Sequence, residues 1–424
     1  MNEFLKKDKE LIWHPFTPLQ GGVDPILIKS GNGVYLNTAD DKKIIDAVSS
    51  WWVNLHGHAN PVIAKAIADQ AQILEHVIFA GFTHPQAITL AENLLNILPS
   101  NQSKIFFSDN GSTAVEVALK MAIQYWNNKE IKKERIIALD GAYHGDTFGA
   151  MSVGERGMFT NPFHALLFDV DVIDLPSFDN ESDVLHKFEN LVRSRDVAAF
   201  IFEPLLQGAA GMRTYPAEIL DKLIRIAKSF DTLCIADEVL TGFGRTGKMF
   251  ACDYLAEKPD IMAISKGITG GAMALGVTSC SNKILEAFDN DDFTKTFFHG
   301  HSYTANPLAC AAANASYSIL VDQVCQNEIK MITESHKGFV KRMKDHDKVR
   351  NARSLGTMVA IELEVKGETS YTSEIRKRIY PFFIERNILL RPLGNTIYIL
   401  PPYLITAEEL ETIYKAIEEF VASI

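Results

Sequence analysis

The 424-residue sequence predicts an α/β protein, in which a mostly parallel sheet carries helices on both faces and a smaller α+β domain is built from both ends of the chain. Three observations predict it. From Lys104 onward, short β-branched runs alternate with helical stretches, the order expected of parallel strands joined by crossover helices. Those runs are uniformly apolar, as strands buried on both faces are. Hydrophobic residues make up 47% of the chain, enough for a large core and a companion domain.

Residues 1–58 read as turns and short strands, with a hairpin pattern over 31–47, and are assigned to the smaller domain. The larger domain, 59–310, holds the runs KIFF (104–107), RIIAL (135–139), VAAFIF (197–202), TLCIA (232–236), IMAIS (261–265) and ALGVTSC (274–280). Residues 311–424 complete the smaller domain. A helical pattern runs from 307 to about 345, strands follow near 358–365 and 396–402, and a closing helix with an apolar face spans 407 to about 422.

A formal net charge of -11 leaves no whole-chain positive field to gather nucleic acid or an anionic membrane. The first ten residues are polar and mixed in charge, unlike a secretory signal, and no apolar run approaches membrane-spanning length. The expected location is the cytoplasm. Five cysteines, an odd number with no C-x-x-C pair, read as reduced core residues.

The chemistry rests first on Asp237 and Lys266, each placed where a buried strand is predicted to end. Taken singly, Asp237 is a strand-end cap or an ion-pair partner, and Lys266 in SKGITGG (265–271) is a surface lysine. As a pair they suit pyridoxal 5'-phosphate (PLP): a lysine holds the cofactor's aldehyde as a Schiff base while a carboxylate keeps its ring nitrogen protonated. The phosphate needs its own site, and SDNGSTAVE (108–116) offers Gly111 and Ser112 at the start of an amphipathic helix. The bland alternative is an ordinary helix cap. In GAYHGD (141–146), Tyr143 stands where it could stack on a pyridine face, or simply pack on the core.

A nucleotide-binding alternative arises because GFGRTGK (242–248) fits the spacing G-x-x-x-x-G-K. Three features oppose it: Met249 replaces the Ser/Thr that would hold magnesium, the Asp-Glu strand precedes the loop, and no apolar strand directly precedes Gly242. The HGH triplets at 56–58 and 299–301 lack neighbouring ligand patterns and read as loop histidines, with no metal expected.

The ordered set SDNGSTAVE (108–116), GAYHGD (141–146), IFEPLLQGAAGM (201–212), IADEVLTGFGRTGKMFACD (235–253), ISKGITGG (264–271) and HGHSYTANPLACAAA (299–313) resembles class III aminotransferases through nearly the whole chain. The resemblance implies a fold-type I PLP-dependent transferase with a seven-stranded sheet. It also implies a homodimer with shared active sites. Lys266 would carry the cofactor and shuttle a proton, Asp237 would face the pyridine nitrogen, Gly111 and Ser112 the phosphate, and Tyr143 the ring. Gly300, His301 and Ser302 would come from the neighbouring subunit, with Ser302 reaching the phosphate.

Within the class, IWHPFTPL (12–19), SSWWVNLHGH (49–58), RPLG (391–394) and IYILPPY (397–403) resemble the members of biotin synthesis that aminate 8-amino-7-oxononanoate. Arg391 would then clamp the substrate carboxylate, and Trp51, Trp52 and Tyr398 would wall its apolar tail. Three departures stand out. Ala209 replaces a glutamate that pairs with the carboxylate-binding arginine in related enzymes, leaving Arg391 available. Phe16 replaces a tyrosine of members that use S-adenosylmethionine, and HGHSYT (299–304) resembles relatives that take lysine as donor. S-adenosylmethionine is the expected donor, with lysine as the alternative; the alternative function is that of another ω-amino-acid aminotransferase of the same class.

Overall fold

The computed structural model describes residues 3–365 and 373–424. Among them, seven strands form the central sheet in the order Gln102–Ser108, Gly276–Ser281, Ile261–Ile264, Leu233–Asp237, Val197–Phe202, Arg135–Leu139 and Asp171–Ile173. The last five run parallel to one another, whereas Gly276–Ser281 pairs antiparallel with both its neighbours. The run 274–280 is therefore the exception within the predicted parallel sheet. Residues 265–275 separate it from Ile261–Ile264 and hold only one short 3-10 turn, Lys266–Thr269, not the crossover helix that usually joins parallel neighbours. Asp171–Ile173, an edge strand of three residues, is too short to register as an apolar run.

Alternate residues of the central strands enter two separate cores, which is why these strands read as continuously apolar. Leu233 and Ile235 pack with Ala114, Val117 and Ala118 of the helix Gly111–Asn128. Cys234 and Ala236 face the other way, toward Leu220 and Leu223 of Ala217–Ser229, whose apolar residues recur at helical spacing. The five cysteines are buried and unpaired.

Both chain ends contribute to the smaller sheets. Ile28–Asn32, Tyr35–Thr38 and Lys43–Asp46 form an antiparallel meander, and Ile388–Leu389 from the C-terminal part adds a parallel strand to it. Met358–Leu363 lies between Val349–Leu355 and Thr396–Ile399 in a second antiparallel sheet. The predicted long helix is two helices, Pro307–Leu320 and Gln323–Met343, separated where Asp322 accepts from Val324 N and starts the second. The closing helix, Ala407–Ser423, begins with a capping box between Thr406 and Glu409. No helix among the described residues is long and apolar enough to cross a membrane.

Candidate active site

Three neighbouring parallel strands bring their carboxyl ends together: Val197–Phe202 leads into Glu203, Leu233–Asp237 ends on Asp237, and Ile261–Ile264 leads through Ser265 to Lys266. Asp237 is in register with Ala263, so it and Lys266 sit at the same sheet edge. Open α/β sheets bind ligands at this edge because loops there splay to opposite faces. Lys266 has a φ of +42°, a left-handed conformation that costs a non-glycine residue free energy and is held by its surroundings. One of these is Ser265, whose Oγ donates to Leu275 O at 2.7 Å.

The Lys266 ammonium lies 4.9 Å from the centre of the Trp52 ring. Burial pushes its pKa below the ordinary value, against the opposing charges of Asp237 and Glu203. A lysine so placed is poised to act as a neutral amine.

Asp237 is only 4% exposed; its Oδ1 accepts from Val239 N at 3.0 Å and its Oδ2 lies 2.7 Å from His144 Nδ1. Among the described residues, the buried His144 Nε2 has no hydrogen-bond partner. Glu203 completes the cluster. Its two carboxyl oxygens accept from Tyr143 N and Gly208 N, both at 3.0 Å, so one side chain ties together two loops that border the site. Burial raises the Glu203 carboxyl to about 7, with Asp237 adding to the rise and His144 opposing it.

These loops surround a cavity of about 1490 Å³ lined by Lys266, Tyr143, His144, Trp51, Trp52, Tyr398, Ala209 and Arg391. The sequence-predicted residues from both ends of the chain thus meet at one space. Trp52 Nε1 donates to Tyr398 OH at 2.9 Å, and the Arg391 guanidinium lies 5.0 Å from the Trp51 ring centre. Among the described residues no carboxylate pairs with Arg391. Phe16 and Phe159 extend the aromatic wall, their rings edge-on at 5.9 Å.

Gly111 and Ser112 open the helix Gly111–Asn128 beside this cavity. The Asn110 side chain caps Thr113 N, and among the described residues the amides of Gly111 and Ser112 donate to no protein acceptor. Ser112 Oγ accepts from Asp146 N at 3.2 Å, joining the helix start to the cavity-lining loop. Free amides at a helix start make an anion cradle. Gly300, His301 and Ser302 do not line the cavity of their own chain.

The match to the family model described as aminotransferase class-III runs over residues 19–421. The chain belongs to the class-III aminotransferase family. It is 47% identical to the adenosylmethionine-8-amino-7-oxononanoate aminotransferase of Synechococcus elongatus, over 97% of this chain and 99% of the relative. It is 38% identical to the enzyme of that name from Staphylococcus aureus, over 99% and 97%. Among solved structures, the adenosylmethionine-8-amino-7-oxononanoate aminotransferase from Methanocaldococcus jannaschii superposes with a TM-score of 0.92, at 36% identity and 98% coverage of both chains. An amine transaminase from an uncultivated Pseudomonas species, solved in its PLP-bound form, gives 0.90 at 30% identity, covering 97% of this chain and 98% of that one.

As a class-III aminotransferase, the chain uses PLP as its cofactor. The residues present fit it: a cavity-facing lysine with a lowered pKa, a buried carboxylate on an adjacent strand, and two undonated amides at a helix start. The nucleotide-binding alternative falls on geometry. GFGRTGK leads into only a four-residue 3-10 turn, Ala251–Tyr254, so no helix N-terminus is available to cradle phosphates. Its Arg245 points inward to backbone carbonyls. The histidines of 56–58 are also structural: His56 Nε2 meets Ser316 Oγ at 3.0 Å, and His58 Nε2 meets Asp46 Oδ2 at 2.9 Å.

Sequence reasoning overlooked Glu203 and gave His144 no role. Glu203 was within reach, since it follows the run 197–202 by the same strand-end logic that singled out Asp237 and Lys266. His144 carried no such signal, because its link to Asp237 spans 93 residues.

Proposed function

We propose that this class-III aminotransferase moves an amine onto 8-amino-7-oxononanoate, giving 7,8-diaminononanoate in biotin synthesis, with S-adenosylmethionine as donor. The observation that carries the reading is the shared cavity, in which Arg391 and an apolar wall of Trp51, Trp52 and Tyr398 stand with Lys266. A carboxylate on an aliphatic tail has matching partners there: a planar guanidinium for the head and aromatic faces for the methylenes. The relatives' names support both acceptor and donor.

PLP, when bound, supplies an aldehyde that accepts an amine and a ring that takes up the electrons of a breaking C–H bond. The chain's residues do the rest. Asp237 would hold negative charge for a protonated ring nitrogen, and His144 fixes that carboxylate by a contact of 2.7 Å. Lys266, whose ammonium form burial disfavours, takes a proton from the substrate carbon and returns it. Gly111 and Ser112 bind the phosphate, Tyr143 covers the ring, and Arg391 with the tryptophans orients the tail.

Gly300, His301 and Ser302 complete the site of a second copy in a homodimer. Two features support this: they lie off their own cavity, and among the described residues the buried His301 Nε2 lacks a partner. Residues 1–58 and 311–424 make one domain beside 59–310, and the enzyme works in the cytoplasm. Lysine as donor is the second reading, favoured by HGHSYT and by Phe16, which offers no hydroxyl to the cavity.

The test is the visible spectrum of the PLP-loaded protein before and after S-adenosylmethionine, followed by addition of 8-amino-7-oxononanoate and mass detection of the diamine. Bleaching by S-adenosylmethionine and formation of the diamine are expected. Bleaching by lysine alone would replace the donor, and no diamine with either would remove the acceptor assignment.

A further inference from the structure

The helix Arg376–Glu385 opens with three basic residues in a row, and its apolar spacing sorts them. Ile379 and Phe383 are buried, so the face they share turns inward; it includes the half-buried Arg376 and Tyr380, while Lys377 and Arg378 are exposed. Of the three, only Arg376 lines the cavity that holds Lys266. Lys377 pairs with Glu374 at 2.8 Å on the solvent side.

The chain then brings Arg391 back toward Arg376. Arg386 and Asn387 alone join the helix to the strand Ile388–Leu389, Asn387 at a φ of +57°, and the helix packs against that strand. A reversal this tight returns the chain along the helix. The helix rises roughly 14 Å from Arg376 to Glu385, and an extended run over 388–391 returns by at most roughly 13 Å, so Arg391 arrives near the first turns of the helix. Tyr380 agrees with this: burial raises its phenol, and the Arg391 charge opposes the rise. Tyr380 and Arg376 are in turn neighbours on the helix surface, about 6 Å apart as residues four positions apart are. Both arginines line the one cavity. Its other arginines are anchored elsewhere: Arg353 Nη1 and Arg350 Nη1 lie 3.1 Å and 3.7 Å from the Glu362 carboxylate, and Arg213 Nη1 lies 3.9 Å from Asp140 Oδ2.

We propose that Arg376 is a second binding residue for the acceptor's carboxylate, a guanidinium that meets the head group together with Arg391 and selects for acceptors whose chain ends in an anion. This inference rests on the proposed role of Arg391 as the carboxylate clamp. Two guanidinium groups at one end of a cavity repel each other, and a carboxylate between them relieves that repulsion while accepting charge-assisted bonds from both. Its two oxygens offer about four lone-pair sites, enough for two forks. An uncharged chain end leaves the repulsion in place, so the selection acts on the head group and not on the aromatic wall.

The experiment titrates nonanoate, which has the acceptor's chain and carboxylate without its amine or ketone, into the PLP-loaded enzyme by calorimetry, beside nonan-1-ol. Arg376→Leu is expected to weaken nonanoate binding about tenfold and nonan-1-ol binding less than twofold. Lys377→Gln, which removes the neighbouring charge on the solvent face, should leave both unchanged. A loss shared equally by the two ligands, or matched by Lys377→Gln, would overturn the proposal, since packing or the general field would then account for it. Wild-type nonanoate affinity in Arg376→Leu, alongside weakened affinity in Arg391→Leu, would overturn it too. The unaltered holoenzyme offers a measurement that survives misfolding of any variant: phenylglyoxal labels accessible guanidinium groups, and nonanoate, unlike nonan-1-ol, should protect both Arg376 and Arg391 in peptide maps. Protection of Arg391 alone would remove Arg376 from the site. Full nonanoate affinity in Arg391→Leu would instead refute the clamp on which the inference rests.

Discussion

His144 Nδ1 lies 2.7 Å from Asp237 Oδ2, and both side chains are almost wholly removed from solvent. A buried carboxylate with one oxygen held by imidazole and the other by Val239 N is fixed in place beside the cavity-lining His144. Asp237→Asn keeps the shape and removes the charge. It should lower kcat by ~10²–10³-fold with PLP still bound, as measured by steady-state rates alongside cofactor absorbance. His144→Gln should lower kcat less, because the carboxylate itself survives.

Lys266 supplies two separable expectations. Lys266→Ala should abolish turnover while leaving a folded protein. In the cofactor-free enzyme, burial of the ammonium is a cost at neutral pH, because the folded pKa lies below the unfolded 10.5 and the unfolded chain holds more protons between the two. That cost is present as pH falls through the folded pKa and is relieved above 10.5. Lys266→Met should therefore raise the melting temperature of the apoprotein at pH 7, with the gap narrowing as pH approaches 10.5.

Glu203 has the opposite dependence. Its folded pKa of about 7 lies above the ordinary 4.5, so the folded protein keeps a proton that the unfolded chain sheds between those values. Stability from this group is complete below pH 4.5 and lost as pH rises through 7, amounting to roughly 3 kcal/mol as an upper bound. Melting temperatures of Glu203→Gln across pH 5–8 should vary less steeply than those of the wild type. The variant should also loosen Tyr143 or Gly208, since an amide oxygen replaces only one of two acceptors.

Arg391 and Ala209 line one cavity, and the arginine has no carboxylate partner among the described residues. Arg391→Leu should raise KM for 8-amino-7-oxononanoate by ~10–100-fold, the worth of a charge-assisted pair. Ala209→Glu should raise it too, by offering the guanidinium an internal competitor. Unchanged affinity in Ala209→Glu would show that the two side chains do not meet.

Gly145 has a φ of +129°, and a Cβ added there would fall 2.0 Å from Ser112 Oγ. Gly145→Ala should displace the helix start as well as strain its own loop. PLP affinity measured by equilibrium dialysis should drop, whereas Gly157→Ala, which meets nothing within 4 Å, should leave it unchanged.

The strands and the site's first residues were legible because their signals are local. A strand buried on both faces must be apolar throughout, and a reactive group is most useful where such a strand ends, so Asp237 and Lys266 could be read from runs of five or six residues. The helix start at Gly111 was legible for the same reason, in a cap residue followed by an amphipathic pattern.

Tertiary structure decided what depends on partners remote in the chain. The antiparallel course of Gly276–Ser281, the division of 307–345 into two helices, and the inward turn of Arg245 within a loop that mimics a phosphate-binding motif all depend on packing. So does the tryptophan wall, where the contacts with Tyr398, Leu400 and Pro401 span about 350 residues for Ser49 and Trp52, and 156 for Arg245. The sequence by itself determined which chemistry the strand ends could carry, because residue type and local period suffice for that. Only the folded chain decided which side chains hold those groups in place, because positioning is a property of distances between segments and no local pattern records them.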